Sequence, residues 1–234
     1  VHRGITIAPG CDDVTVEQNR IALSAWHGIR YDDASPTIRR NVIMGHEKSG
    51  IYASGETRAT VEANLVVANA GEGMSCWFQN ADRIRGNTFA NNDTVAIGLA
   101  GGSRPVVERN VFYRSFVAVD GLHLARDEER EAGEPAPYPI RGNVWFKCAR
   151  LTRAVRRGTM VEDEAYEDLP LPKDADNEQR APGFADAAAL DFSLPATSTA
   201  GVRDPLPTRS PWPIQPEEKT MKEAWGDGCA AAGH

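Results

Sequence analysis

The sequence lacks most of the signals that would name a chemistry outright. Its four cysteines, Cys11, Cys76, Cys148 and Cys229, show no CxxC spacing, so neither a disulfide framework nor a zinc site is indicated. A single Cys148–Cys229 pair stays open. Positive charge is in deficit: the net charge is −7, which argues against a polyanionic nucleic acid as partner. No apolar run is long enough to span a membrane. Only Glu217–Trp225, near the end, reads as a short helix. Hydrophobic residues make up 41% and charged residues 25% of 234 residues, which is ordinary composition and enough chain for one sizeable core.

What is present is a repeat. One Asn recurs in the segments Val16-Glu17-Gln18-Asn19, Ile38-Arg39-Arg40-Asn41, Val61-Glu62-Ala63-Asn64, Ile84-Arg85-Gly86-Asn87, Val107-Glu108-Arg109-Asn110 and Ile140-Arg141-Gly142-Asn143. The spacings are 22, 23, 23, 23 and 33. A short apolar pair follows each Asn, from Val42-Ile43 through Val144-Trp145, with Ile21 one place late in the first rung. A Gly-apolar start precedes it: Gly4-Ile5, Gly28-Ile29, Gly50-Ile51 and Gly73-Met74. Each rung therefore holds three short β segments separated by turns. Strands this short need partners, and the next rung supplies them about 4.8 Å away. The Asn reads as a turn residue that tolerates left-handed geometry, its amides bonding to their equivalents above and below. A leucine-rich repeat also carries an Asn at this period. It would want an apolar residue five places earlier, where this chain has Val14, Pro36, Ala59, Asp82, Pro105 and Tyr138. The expected fold is an all-β parallel β-helix of six to seven rungs over residues 1–149, with an irregular cap over 150–234.

These rungs resemble the pectate-lyase-like, right-handed parallel β-helix superfamily. The tail, Ala181-Pro182-Gly183-Phe184-Ala185-Asp186 followed by Asp191-Phe192-Ser193-Leu194-Pro195, is similar to the DPGF…DFRL…SPA ending of bacterial β-helix proteins related to glycoside hydrolases. Here Ala181 replaces the usual Asp, and the SPA element is degraded to Thr197-Ser198-Thr199-Ala200. The resemblance implies an extended polysaccharide or oligosaccharide, possibly containing uronate, lying along the first strand of each rung. It implies that the insertion at 125–139 walls the groove. It makes calcium an option, with Asp12-Asp13 and Asp32-Asp33 in nearly equivalent turns, although no metal ligand set is assigned. A secreted, periplasmic or cell-surface location follows from such a substrate. The strand-like start at Gly4–Ala8, with no capping helix before it, suggests the C-terminal part of a longer protein or a stack whose cap is missing. The oligomeric state is not legible.

With Ile5, Ile29, Ile51, Met74, Ile97 and Val119 facing inward, the next residues face out: Thr6, Arg30, Tyr52, Ser75, Gly98 and Asp120. Two further along stand Ala8, Asp32, Ser54, Trp77, Ala100 and Leu122. His27, His46, Glu47, Lys48, Glu72 and His123 lie at the margins. Tyr52 and Trp77 offer flat faces for sugar rings, and Arg30 is suited to a uronate carboxylate. A lyase or epimerase would use Arg30 or Lys48 to neutralise the uronate and Tyr52, His46 or His27 to abstract a proton. A hydrolase would need two carboxyl groups about 5–10 Å apart. Asp32 and Asp120 are about 19 Å apart by strand spacing, so the pairing expected is Asp120 with an acid of the Asp127–Glu131 loop. His123 is a further candidate base, with Trp77, Asp32, Glu72 and His27 as substrate contacts. The rival readings are a non-catalytic β-helix module of a larger enzyme and a structural or adhesive stack.

Overall fold

The computed structural model describes residues 4–123, 139–155, 166–167, 171, 175–188, 191–192 and 194. The chain coils into a parallel β-helix with three sheets and, among the described residues, no helix. Sheet A contains β1 (Ile5–Ile7), β4 (Ile29–Asp32), β7 (Ile51–Ser54), β10 (Met74–Trp77), β13 (Val95–Ala100), β16 (Val117–His123) and β19 (Arg150–Val155), with β20 (Tyr166–Glu167) antiparallel at its end. Sheet B contains β2 (Thr15–Glu17), β5 (Thr37–Arg39), β8 (Thr60–Glu62), β11 (Arg83–Arg85), β14 (Val106–Glu108) and β17 (Ile140–Arg141). Sheet C contains β3 (Arg20–Ala22), β6 (Val42–Met44), β9 (Leu65–Val67), β12 (Thr88–Ala90), β15 (Val111–Tyr113), β18 (Val144–Phe146) and β21 (Glu178–Gln179). Six rungs are thus complete, and β19 and β21 continue into a seventh.

The core is a stack of identical register positions. Ile38, Val61, Ile84 and Val107 on sheet B, Ile43, Val66, Phe89 and Phe112 on sheet C, and Ile29, Ile51, Met74, Ile97 and Val119 on sheet A are all fully buried. Phe89 and Phe112 stack with ring centroids 5.7 Å apart. One polar network is built into this interior. Tyr31 donates to Asp82, two rungs on, and Asp82 also accepts from the Ala59 amide at 2.6 Å and from Asn80 Nδ2 at 2.7 Å. Each buried carboxylate oxygen therefore has donors, which such a group requires.

The repeated Asn forms a continuous ladder. Asn64 donates from its backbone N–H and from Nδ2 to Asn87 Oδ1, at 2.9 and 3.0 Å, and from Nδ2 to the Ile38 carbonyl at 2.9 Å. Asn41, Asn87, Asn110 and Asn143 repeat the pattern. The left-handed residue is the one before each Asn, not the Asn itself: Gln18, Arg40, Ala63, Gly86, Arg109 and Gly142 have φ between 53° and 63°. Turning the chain there aims the Asn side chain inward, where its amide satisfies backbone groups of two rungs at once.

Strand pairing extends past residue 149. Arg150–Val155 pairs with β16, and Asn177 extends the ladder by accepting from Asn143. The spacing of 34 between Asn143 and Asn177 hides this rung from a search at period 23.

The three outer faces differ. On sheet B, Glu17, Arg39, Glu62, Arg85, Glu108 and Arg141 share one register column, so the sign of charge alternates rung by rung. Arg39–Glu17 pair at 2.8 Å, Arg85–Glu62 at 2.6 Å, and Arg141 Nε reaches Glu108 at 2.6 Å. That face has its charges matched. On sheet C, Met44, Leu65, Val67, Ala90 and Tyr113 are covered by Phe184, Ala187 and Phe192 of the tail. Phe192 is 2% exposed, with its ring edge-on to Phe184 at 5.1 Å. The tail motif is thus a strap over sheet C. The polar and aromatic residues without a structural duty of this kind collect on sheet A.

Candidate functional site

The outer face of sheet A carries the column Thr6, Arg30, Tyr52, Ser75, Gly98, Asp120 and Arg153 in register. The second column is Asp32, Ser54, Trp77, Ala100 and His123. His123 stands where Leu122 was expected, because a bulge between Gly98 and Ala100 shifts the register of β16.

At the N-terminal end lies an aromatic and cationic cluster. The His27 ring packs on Tyr52 at 4.5 Å and meets Trp26 edge-on at 5.4 Å. Lys48 Nζ stands 5.7 Å over Trp26, and the Arg30 guanidinium 5.3 Å over Tyr52. Burial, with the charges of Arg30 and Lys48, lowers the His27 pKa to about 4, so its imidazole is neutral near pH 7. Arg30 is not free to grip a uronate with its full fork. Asp32, on the same face of the same strand, takes Nε at 2.7 Å and Nη2 at 3.1 Å.

His46 is not in this cluster. It is buried in the turn between β6 and β7, in a second ladder that the sequence reading missed. Ser24, His46, Asn69, Asn92, Ser115 and Cys148 occupy that turn in successive rungs, each just after a left-handed residue. Asn69 donates to Asn92 Oδ1, and Asn92 Nδ2 donates to the Val66 carbonyl. His46 does the same work with a ring: Nδ1 accepts from the Ser24 N–H at 3.0 Å, which leaves the proton on Nε2 to face the Ile21 carbonyl at 3.2 Å. The spacing of this ladder copies that of the first, but its residue types vary, so only the spacing could have revealed it. It also explains the Gly-apolar starts. A Cβ at Gly28 would lie 2.4 Å from His46 Nε2, and one at Gly50 would lie 2.8 Å from Asn69 Nδ2.

Three rungs further along the face lies a carboxylate site. The Glu72 side chain folds from the turn before β10 over Gly98; a Cβ on Gly98 would lie 2.2 Å from Glu72 Oε1. The Gly98 register partners are Ser75 and Asp120. The Glu72 carboxyl therefore lies over the strand next to that of Asp120, one strand spacing or ~5 Å away. Burial raises the Glu72 pKa; the Ser75 hydroxyl bonded to it opposes the rise, and the Asp120 charge adds to it. Asp120 is gripped by Arg153 of β19, at 3.1 and 2.6 Å through two guanidinium nitrogens. Arg153 in turn lies 5.3 Å over Phe116. Trp77 donates its indole N–H to Ser75 at 2.9 Å, closing the row Trp77–Ser75–Glu72.

The Asp127–Glu131 loop and the 125–139 insertion lie almost wholly outside the described residues, as do Cys229 and the side chain of His123. Cys11, Cys76 and Cys148 are free thiols, and Cys229, the partner considered for Cys148, lies outside the described residues. Asp12 and Asp33 each hold a backbone N–H of the next rung, those of Ser35 at 2.8 Å and Glu56 at 3.0 Å. Asp32 is engaged by Arg30. The acidic turns therefore serve the coil, and among the described residues no group of three or more His, Cys, Asp or Glu is placed to hold a metal ion.

A family model described as the right handed beta helix region matches residues 3–128, more than half of the chain. The chain belongs to this family. No curated protein and no solved structure gives a significant match. Membership of the right-handed β-helix family fixes the coil and its hand. It names no reaction, and the pectate-lyase-like specificity suggested by the sequence resemblance is no part of it.

Proposed function

We propose that the outer face of sheet A is a groove for an extended glycan, and that Glu72 and Asp120 act in it as the acid/base and the nucleophile of a glycoside hydrolase. The observation that carries this reading is the placing of the Glu72 carboxyl over Gly98, the strand neighbour of Asp120: strand spacing sets the two acids roughly 5 Å apart, one biased toward its protonated form and the other ion-paired. Glu72 donates its proton to the departing glycosidic oxygen. Asp120, oriented by Arg153, attacks the sugar carbon as that oxygen leaves and forms a glycosyl ester; Glu72, now a base, takes a proton from the water that hydrolyses the ester, which frees Asp120 and restores the Glu72 proton. Tyr52, His27 and Trp26, about three rungs or ~14 Å away, hold a sugar ring further along the chain. Lys48 stands beside them as the cation for a carboxylated sugar. A substrate of this kind places the protein outside the cytoplasm.

A non-catalytic glycan-binding module is favoured by one feature: both Asp120 oxygens are occupied by Arg153. A panel of neutral and uronate polysaccharides, assayed for new reducing ends, for unsaturated products and for binding, separates the readings. Hydrolysis yields reducing ends that Glu72→Gln and Asp120→Asn each reduce by at least about 100-fold. Unsaturated products would move the chemistry to His27, Tyr52 and Lys48. Binding without turnover would leave the module.

A further inference from the structure

We infer that Trp77 and Phe78 form a sugar-stacking subsite at the rim of sheet A, next to Glu72, which takes the C–H face of a pyranose ring. Such a subsite presupposes the glycan groove proposed above and adds Phe78, which faces solvent from the turn after β10.

Phe78 is an anomaly as a folding residue. Its φ is 56°, and Gln79 beside it has the same value. At this turn other rungs place Gly10, Asp33, Gly55 and Gly101 in the left-handed region. Glycine costs nothing there and aspartate little, whereas a bulky aromatic side chain is disfavoured. Burial does not compensate: Phe78 is 55% exposed, among the largest values for an apolar side chain in the described residues. A strained, exposed aromatic residue in a turn that four other rungs build from smaller residues points to a duty outside the fold.

The neighbours make room for a ligand. Trp77 is flanked across the sheet by Ser54 and Ala100. The Phe78 ring lies against Gly101, where a Cβ would approach Phe78 Cδ1 to 2.8 Å. The two rings, 5.8 Å apart and inclined by 52°, therefore stand between small residues of the neighbouring rungs. The platform is tied to the acid: the Trp77 indole N–H holds Ser75, and the Ser75 hydroxyl holds Glu72. A ring resting on Trp77 and Phe78 thus neighbours the group that delivers the proton. The exposed Phe78 ring offers an apolar face to a sugar beside Trp77, and the adjoining polar row supplies partners for hydroxyl groups.

The test uses the full chain and three probes: hexasaccharides of β-1,4-glucose, α-1,4-galacturonate and β-1,4-mannuronate. Phe78→Asn keeps a residue suited to the turn and removes the ring; Phe78→Trp keeps a ring. The expected result is a dissociation constant about tenfold higher for Phe78→Asn than for the parent. Its melting temperature stays within a few degrees, and Phe78→Trp binds as the parent does. Equal affinity of Phe78→Asn and the parent would overturn the subsite and leave the groove standing. A large fall in melting temperature for Phe78→Asn would also overturn it, because the ring would then serve packing. Binding of none of the three by the parent would overturn subsite and groove together.

Discussion

The carboxyl group of Glu72 lies over Gly98, whose register partner on the next strand is Asp120. The absence of a side chain at Gly98 is what lets one acid reach the other. Gly98→Ala would put a Cβ 2.2 Å from Glu72 Oε1, so the carboxyl must swing away while the strand keeps its pairing. The expected outcome is a loss of any glycan-cleaving activity of about tenfold or more, with little change in melting temperature. The alkaline-side kinetic pKa, which reports the proton on Glu72, should fall toward the ordinary carboxylate value as Glu72 leaves its shielded position. A variant that melts like the parent and keeps full activity would show that the position of Glu72 over Gly98 is unimportant.

The Asn ladder should be strongest in its middle. Asn87 is fully buried and engaged at both ends of its amide, whereas Asn19, in the first rung, is exposed. Asn87→Ala strands buried donors and acceptors in two neighbouring rungs and should cost about 3 kcal/mol or more. Asn19→Ala should cost roughly 1 kcal/mol. Urea unfolding of both variants checks the difference; equal losses would mean that the ladder is incidental to the coil.

His46 makes the coil sensitive to acid. Burial lowers its pKa to about 4 in the fold, while unfolded histidine titrates near 6.5. Above about pH 6.5 both states are neutral and the full stability is present. Between about 6.5 and 4 only the unfolded chain takes up the proton, so stability falls as the pH falls. His27, shifted in the same direction, adds to the loss. Asn can make the same pair of ladder bonds without titrating. His46→Asn should therefore fold and lose less stability than the parent between pH 6.5 and 4, by an amount on the order of 2 kcal/mol. Parallel pH profiles for the two proteins would contradict the ladder role of His46.

Phe192 holds the tail across sheet C. Phe192→Ala should cost about 3 kcal/mol and expose Met44, Leu65 and Val67. Chemical denaturation and binding of a hydrophobic dye at low denaturant both report it. Unchanged stability and no dye binding would mean that the strap is dispensable.

Much of the coil was legible because its register repeats in the sequence. Asn19 to Asn143 fixed the rungs, and the inward column from Ile5 to Val119 followed from alternation along each strand. The seventh rung was hidden by the chain inserted before Asn177. The second ladder was hidden because Ser24, His46, Asn69 and Cys148 share a position and no chemistry of name. The candidate site was less legible for a physical reason. Strand alternation says which way a residue faces but not where a long side chain from a neighbouring turn comes to rest. Glu72 stood at the margin in the sequence and over Gly98 in the fold. Arg153 fell in the region expected to be an irregular cap and proves to be the partner of Asp120. Arg30 faced the groove as expected, yet Asp32, two residues on, occupies its fork.

The most direct measurement of the groove and its acid pair is a reducing-end assay of the full chain on neutral and uronate polysaccharides, beside Glu72→Gln and Asp120→Asn. The expected result is turnover of at least one polysaccharide by the parent, a loss of at least about 100-fold in each variant, and retained binding by both. Turnover that survives both substitutions, or no turnover on any polysaccharide, would contradict Glu72 and Asp120 as its catalytic pair.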